Sequence, residues 1–211
     1  MSLEPRPIEF YFDLSSPYAY MASEWIDTLA AQHGRSVNWN AILLGATFQA
    51  AELRSPVAHP LKREYSLRDF ERSARFSAVP FVLPSRFPVA TQNAARVYWW
   101  LRDQSAGGPD PAHLLDARGW AKHCFRALFV QGADLSDVAR LREIAVEFGL
   151  DAAQAEAVWN DPRWKARLKE VNDMAISAGV FGAPFFVIDG EPFWGNDRRA
   201  QIERWLASGP F

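Results

Sequence analysis

The chain has 211 residues and a mass of 23.8 kDa, with 49 % hydrophobic and 23 % charged residues, a composition typical of a globular protein that buries its own core. Its formal net charge of −2 gives no bulk positive field for nucleic acid or an anionic membrane. Its one cysteine, Cys124, excludes an internal disulfide and a Cys-x-x-Cys redox pair. The four histidines show no metal-ligand spacing, so we expect no metal. With no signal-like or membrane-length apolar run, a cytoplasmic protein is expected.

The N-terminal segment predicts a strand, a helix and a second strand. Alternating β-prone residues over Ile8–Phe12 favour the first strand. Ser16 as N-cap and Pro17 at the first helical position begin a helix whose apolar residues recur at helical spacing until Gly34. Residues 37–43 read as the second strand. This order is typical of a βαβ unit with parallel strands.

The middle of the chain, from Gly45 to about residue 175, is predicted to be helical. Helices are predicted over residues 65–76, 91–104, 119–131, 136–148 and 152–174. The fourth has the clearest ends, because Ser136 can cap its start and Gly149 can end it.

The C-terminal segment returns to strands. Residues 185–188 are apolar, Asp189-Gly190 is a hairpin turn signal, and residues 192–194 begin a partner strand before a last helix. The sequence therefore predicts an α/β, thioredoxin-like fold with an inserted all-helical domain. Residues 1–45 and 176–211 would form the thioredoxin-like domain and residues 46–175 the insertion.

Ser16 is the first candidate site residue. A helix N-terminus favours an anion beside it, and thioredoxin-like proteins place a reactive thiolate there. Ser16 and Ala19 occupy the two positions where such proteins carry cysteines, so this site cannot exchange disulfides. A serine hydroxyl can still donate a hydrogen bond to a thiolate that a ligand brings. The alternative is that Ser16 only caps the helix.

Two C-terminal segments are further candidates. A cis bond before Pro184 would expose the N–H and C=O of Ala183 to an extended, peptide-like ligand, whereas a trans proline would simply begin a strand. Asn196 and Asp197 open a helix and could bind the carboxylate and ammonium groups of an α-amino acid. The alternative for this pair is helix capping alone.

Together these motifs closely resemble the 2-hydroxychromene-2-carboxylate isomerase family. That family belongs with the kappa-class glutathione transferases, in the DsbA-like branch of the thioredoxin superfamily. The motifs are Ser-Pro-Tyr at 16–18, Phe-Gly-Ala-Pro at 181–184 and Phe-Trp-Gly-Asn-Asp-Arg-Arg at 193–199, and segments at 42–45, 60–62, 68–70, 79–81, 87–89 and 129–137 extend the resemblance over essentially the whole chain.

The resemblance implies a glutathione-dependent isomerase of aromatic catabolism, interconverting 2-hydroxychromene-2-carboxylate and trans-o-hydroxybenzylidenepyruvate. Ser16 matches the family's catalytic serine, which holds the glutathione thiolate. Ala183, before a cis Pro184, matches the backbone that pairs with the cysteinyl unit of glutathione.

The resemblance also implies contacts with the two ends of glutathione. Asn196 and Asp197 match the positions that take the γ-glutamyl end, and Lys62 matches a lysine near the glycyl carboxylate. The chain departs from the family at Gln49, where relatives often carry lysine, and near Leu53, where an asparagine is expected.

The aromatic substrate is expected beside Tyr18, Thr91 and Asn93, although Thr91 could instead cap its helix. The resemblance implies a homodimer. Two other functions stay open at this point. One is a kappa-like glutathione transferase that conjugates another electrophile, and the other is a non-catalytic thioredoxin-fold binding module.

Overall fold

A four-stranded mixed sheet lies at the centre of the fold, in a computed structural model that describes residues 6–104 and 111–211. The strands are β1 (Ile8–Phe12), β2 (Val37–Ala41), β3 (Phe185–Ile188) and β4 (Glu191–Trp194). They lie in the order β2-β1-β3-β4. β1 pairs parallel with β2 and antiparallel with β3, and β3 pairs antiparallel with β4.

Helices surround this sheet. They are α1 (Pro17–Ser23), α2 (Ile26–Gln32), α3 (Leu44–Ala50), α4 (Arg63–Phe76), α5 (Gln92–Asp103), α6 (Pro111–Phe129), α7 (Val138–Phe148), α8 (Ala152–Asn160), α9 (Pro162–Ser177) and α10 (Arg199–Ser208), with short 3-10 turns at Pro56–Ala58 and Asn196–Arg198. Helices α3 to α9 lie between β2 and β3 in the sequence. This is the predicted thioredoxin-like arrangement with its helical insertion.

The hydrophobic core continues from the sheet into the inserted helices. Phe12, at the end of β1, packs against Tyr98 of α5 and Phe125 of α6, with ring centroids 5.4 and 5.7 Å apart. Phe186 of β3 packs against Trp25, between α1 and α2, at 5.4 Å. The division of the chain into domains at residues 45 and 176 stays a prediction.

Side chains of α5 and α6 cover the free edge of β2. The Tyr98 hydroxyl donates to the carbonyl of Trp39 at 2.7 Å, and the Trp99 indole N–H donates to the carbonyl of Ala41 at 2.9 Å. Arg118 of α6 donates to the carbonyl of the first residue of the strand. These contacts satisfy an edge that could otherwise pair with another chain.

The first predicted helix is interrupted at Glu24 and Trp25. The Ser23 hydroxyl donates back to the carbonyl of Tyr20 at 2.6 Å, a contact that competes with helical hydrogen bonding and bends helices. The N–H of Trp25 then bonds Ala22 with i→i−3 spacing, at 3.2 Å. The chain therefore forms α1 and α2 in place of one continuous helix.

β2 ends two residues earlier than predicted, and α3 follows it where no helix was predicted. Ile42 still donates to the Phe12 carbonyl at 2.8 Å. The next two amides leave the sheet, because Leu43 N–H donates to the Asn172 side chain at 2.9 Å and Leu44 N–H donates to Asp13 at 2.6 Å.

Two helix ends in the insertion differ from the prediction. Asp137, not Ser136, caps α7, since its carboxylate accepts from Ala139 N–H at 2.9 Å. The Ser136 hydroxyl instead bonds the carboxylate of Asp134 at 2.5 Å. The predicted helix over 152–174 is divided into α8 and α9 at Asp161, which caps α9 ahead of a proline in its first turn. Gly149 ends α7 in the left-handed conformation, at φ 98°, as predicted.

The β3–β4 turn is confirmed. Asp189 and Gly190 both have positive φ, 55° and 96°, which is the backbone that a two-residue hairpin turn needs.

Candidate functional site

A cleft of about 1290 Å³ lies where the carboxyl ends of β1 and β2 meet the inserted helices. Its walls come from eight parts of the chain: Trp25 and residues within 13–18, 43–48, 55–57, 65–78, 87–92, 183–184 and 194–203. Most of the lining is apolar or aromatic, and it includes Trp25, Phe48, Phe70 and Trp194. Apolar and aromatic walls with polar groups placed among them are typical of a small-molecule site.

Ser16 lies in the wall of this cleft and is 4 % exposed. Its side-chain oxygen accepts from Ala19 N–H at 3.2 Å, so Ser16 is the N-cap of α1, as the sequence predicts. Its hydroxyl also donates to the carbonyl of Ala183 at 3.1 Å. Ser16 is therefore more than a cap, because it joins the start of α1 to the segment before β3.

The Ala183–Pro184 peptide bond is cis, and both residues line the cleft. Gly195 N–H donates to the carbonyl of Pro184 at 3.0 Å. Within the described residues, no acceptor meets the N–H of Ala183. One polar backbone group beside Ser16 is thus left for a ligand with peptide-like hydrogen bonding.

Gly182 and Trp194 are in close contact beside this segment. A Cβ atom on Gly182 would lie 2.5 Å from Nε1 of Trp194, closer than side chains approach. The Trp194 ring also packs edge-on against Phe181, with centroids 4.9 Å apart. Because Trp194 is half exposed and lines the cleft, the glycine lets an aromatic wall approach the Ala183 backbone.

Asn196 and Asp197 line the cleft, and neither side chain caps a helix. The indole N–H of Trp25 donates to Oδ1 of Asn196 at 2.8 Å. Oδ2 of Asp197 accepts from Arg198 at 2.7 Å. Helix capping, the alternative role for this pair, is therefore not what these side chains do.

Asp13 and Thr91 form a buried polar pair. The sequence identifies Thr91 as a candidate but not Asp13. Both line the cleft and each is only 3 % exposed. The Thr91 hydroxyl donates to Oδ1 of Asp13 at 2.9 Å, so Thr91 does not cap α5 with its side chain. Asp13 also accepts from Ser15 N–H at 2.7 Å and Leu44 N–H at 2.6 Å.

The environment of Asp13 shifts its acidity. Burial raises the pKa of the Asp13 carboxyl above its usual range, and the hydrogen bonds from Leu44, Ser15 and Thr91 oppose that rise. In the sequence Asp13 reads only as a turn residue. Its place three residues before Ser16, directly after a buried strand, is the signal that could have identified it.

Tyr18 lies in the cleft and bonds to α4. Its hydroxyl donates to the carboxylate of Asp69, which Arg72 also contacts. Burial and the contact with Asp69 raise the pKa of Tyr18 above its usual range. Burial alone would raise the pKa of Asp69, but hydrogen bonds from Tyr18 and Arg72 outweigh it and hold that pKa below its usual range. Tyr18 is therefore a fixed, neutral donor in this wall.

The structure thus brings together seven of the predicted site residues: Ser16, Tyr18, Thr91, Ala183, Pro184, Asn196 and Asp197. Lys62 is exposed and lies outside the lining of the cleft, at the start of α4. Asn93 also lies outside it, within 3.4 Å of Arg96. The roles of Lys62 and Asn93 stay predictions.

Cys124 is fully buried, and burial raises the pKa of its thiol. Over the ranges that the structure describes, no cluster of three or more His, Cys, Asp or Glu side chains could hold a metal ion. Within the same ranges, no helix combines the length and apolarity needed to cross a membrane.

The chain belongs to the DSBA-like thioredoxin domain family, whose model matches residues 7–207. Among curated relatives it is similar to a 2-hydroxychromene-2-carboxylate isomerase of Sphingobium xenophagum, with 29 % identity over 95 % of this chain and 98 % of the relative. It is also similar to glutathione S-transferase kappa 2 of Caenorhabditis elegans, with 29 % identity over 98 % of this chain and 93 % of the relative.

Among solved structures, a 2-hydroxychromene-2-carboxylate isomerase superposes with a TM-score of 0.81 at 24 % identity, covering 95 % of this chain and 94 % of that one. This likeness confirms the predicted DsbA-like fold class. The relatives confirm the resemblance inferred from the motifs, and the expectation that the chain is an enzyme of this group.

Proposed function

We propose that the chain is a glutathione-dependent isomerase that interconverts 2-hydroxychromene-2-carboxylate and trans-o-hydroxybenzylidenepyruvate. The observation that carries the proposal is the contact of Ser16 with the Ala183 carbonyl in the wall of a cleft, beside the N–H of Ala183, which meets no acceptor among the described residues. The relatives named as isomerases support the reaction, and those named as kappa glutathione transferases support glutathione.

The residues of the cleft fit glutathione. The backbone of Ala183 offers the cysteinyl unit a carbonyl acceptor and an N–H donor that no described residue accepts from. Asp197 offers a carboxylate for the ammonium group of the γ-glutamyl end, next to Asn196. A volume of about 1290 Å³ exceeds what one drug-sized ligand needs, so a tripeptide leaves room for an aromatic substrate.

Glutathione, when bound, would supply a thiolate that adds to the double bond; the ring C–O bond would open, rotation about the former double bond would follow, and loss of the thiolate would restore the double bond. Ser16 would hold that thiolate by donating a hydrogen bond. In the present geometry its proton is directed to the Ala183 carbonyl. The hydroxyl therefore rotates toward the thiolate when the ligand backbone takes over that carbonyl.

The remaining residues position the reactants. Tyr18, fixed by Asp69, and Thr91, fixed by Asp13, would face the aromatic substrate. Lys62, at the start of α4, would complete the glutathione subsite, and Asn93, at the start of α5, would complete the substrate subsite. Both require these helix ends to approach the bound ligands. The proposal also includes a homodimer. Light scattering tests it, and a monomer mass would contradict it.

Substitution of Ser16 tests this function. Ser16→Ala should lower turnover of the chromene by at least about 100-fold, because the thiolate loses a donor in a dry site. Ser77→Ala is the matched control, since Ser77 also lines the cleft but takes no part in the hydrogen bond between Ser16 and Ala183. Equal activity of the two variants would refute the role of Ser16.

A further inference from the structure

Asp13 and Thr91 form a buried polar pair in the wall of the cleft, and the proposed function places Thr91 against the substrate without saying which group it recognises. Burying a carboxylate and a hydroxyl is costly unless their hydrogen bonds are satisfied. Asp13 is held by three donors from three places in the chain, namely Ser15, Leu44 and Thr91. It therefore stays fixed in the wall, and it fixes the Thr91 hydroxyl.

The orientation of the Thr91 hydroxyl follows from this contact. A hydroxyl has one proton and two lone pairs, and an ionised carboxylate only accepts. The Thr91 proton is therefore directed to Asp13, at 2.9 Å. No donor among the described residues reaches Oγ1 of Thr91. Because Thr91 lines the cleft, we take its lone pairs as an acceptor for a group bound there.

The walls next to the pair are apolar. Three apolar residues near the pair in the chain line the cleft, namely Leu44, Pro88 and Val89. Phe87 and Phe70 extend the apolar wall, with ring centroids 5.9 Å apart. A planar ring fits such a surface, and the fixed acceptor selects a ring that carries a hydrogen-bond donor.

We propose that the Thr91–Asp13 pair accepts a hydrogen bond from a hydroxyl group of the second substrate. This inference rests on the proposed function and assigns the residues that recognise the aromatic hydroxyl of the open isomer. Asp13 acts through Thr91, so it is a positioning residue. A site built for a hydroxyl discriminates against analogues that lack it, because its buried acceptor is then left unpaired.

Three unreactive ligands test the inference by calorimetry without glutathione: trans-2-hydroxycinnamate, trans-2-methoxycinnamate and trans-cinnamate. The protein should bind the hydroxyl compound about tenfold more tightly than either of the others. The methoxy compound removes the donor and adds bulk, whereas cinnamate removes the donor without adding bulk. Equal affinity for the hydroxyl compound and cinnamate would overturn the inference.

Variants of Thr91 test whether the preference for the hydroxyl ligand comes from the Thr91–Asp13 pair. Thr91→Val keeps the shape of the side chain and should reduce the affinity ratio to about one, and Thr91→Ser should restore it. Thr47→Val is the matched control, because the Thr47 hydroxyl is buried against the Leu44 carbonyl, outside the lining of the cleft. A tenfold ratio that persists in Thr91→Val would overturn the inference.

The two proposals fail separately. If Thr91→Val does not fold, as judged by circular dichroism, the unmodified protein still tests the inference, because equal affinity for the hydroxyl compound and cinnamate overturns it. The ligands do not react and glutathione is absent, so their affinities can be measured whether or not the chain is an isomerase. Conversely, isomerase activity together with no preference for the hydroxyl ligand would remove this inference alone.

Discussion

The hydroxyl of Ser16 serves two neighbours, Ala19 through its lone pair and Ala183 through its proton. A cap would need only the first contact. The second directs the hydroxyl toward the cis-proline segment, where a ligand backbone could replace it. The bond to Ala183 therefore distinguishes Ser16 from a serine that only caps a helix.

The Asp13–Thr91 contact gives a prediction about stability and pH. An acid whose pKa is raised by folding binds more protons in the folded state, so its contribution to stability falls as pH rises from the ordinary carboxyl range through its raised pKa. The Thr91 hydrogen bond favours the charged form. Thr91→Val should therefore lower the free energy of unfolding more at pH 8 than at pH 5, measured by urea denaturation. A loss that is constant with pH, as expected for Thr47→Val, would contradict this.

The Gly182–Trp194 contact gives a prediction about binding. Gly182→Ala places a Cβ against the Trp194 indole, which must shift away from the Ala183 backbone. Glutathione affinity, measured by calorimetry, should fall about tenfold or more as one contact surface is lost. Gly45→Ala is the control, since Gly45 also lines the cleft but has open space at its Cβ. Similar affinity in both variants would show that Trp194 does not contact the ligand.

At the scale of elements, one tryptophan of an adjacent pair helps to cover the edge of β2. Trp99 is buried, donates to Ala41 and lies 4.8 Å from the guanidinium of Arg167. Trp99→Phe should lower the free energy of unfolding by about 2–4 kcal/mol, from a lost buried hydrogen bond and a small cavity. Trp100→Phe should cost under about 1 kcal/mol, because Trp100 is only partly buried. Equal losses in thermal unfolding would contradict this account.

The sequence predicts elements well where their signals are local. The cap at Ser16, the turn at Asp189-Gly190 and the end of α7 at Gly149 each depend on one or two residues, and each is confirmed. The early end of β2 could not be predicted, because Leu43 and Leu44 leave the sheet for side chains far along the chain, at Asn172 and back at Asp13.

In the candidate site too, residues with local signals are predicted and residues that depend on distant contacts are not. Ser16, Ala183 and Asp197 were found from short motifs. Asp13 was missed because its role depends on Thr91, which lies 78 residues away in the sequence. Local patterns identify residues that begin or end elements, whereas a buried polar pair needs the three-dimensional fold.

At the scale of the whole molecule, the cleft gathers parts from both ends of the chain and from the insertion. A ligand that contacts all of them should stabilise the folded state as a whole. Glutathione at about 100 times its Kd should add about 2.7 kcal/mol and raise the Tm. Asp197→Asn should lose most of this rise, and Asp173→Asn, on α9 away from the cleft, should keep it. An unchanged Tm with glutathione would contradict binding in the cleft.

The most direct test of the central claim is the ultraviolet spectrum of 2-hydroxychromene-2-carboxylate with the protein, with and without catalytic glutathione. We predict rapid approach to equilibrium with the open trans isomer only when glutathione is present, with the glutathione recovered unchanged. Stoichiometric loss of glutathione would instead indicate a transferase. No spectral change in either sample would contradict the isomerase assignment.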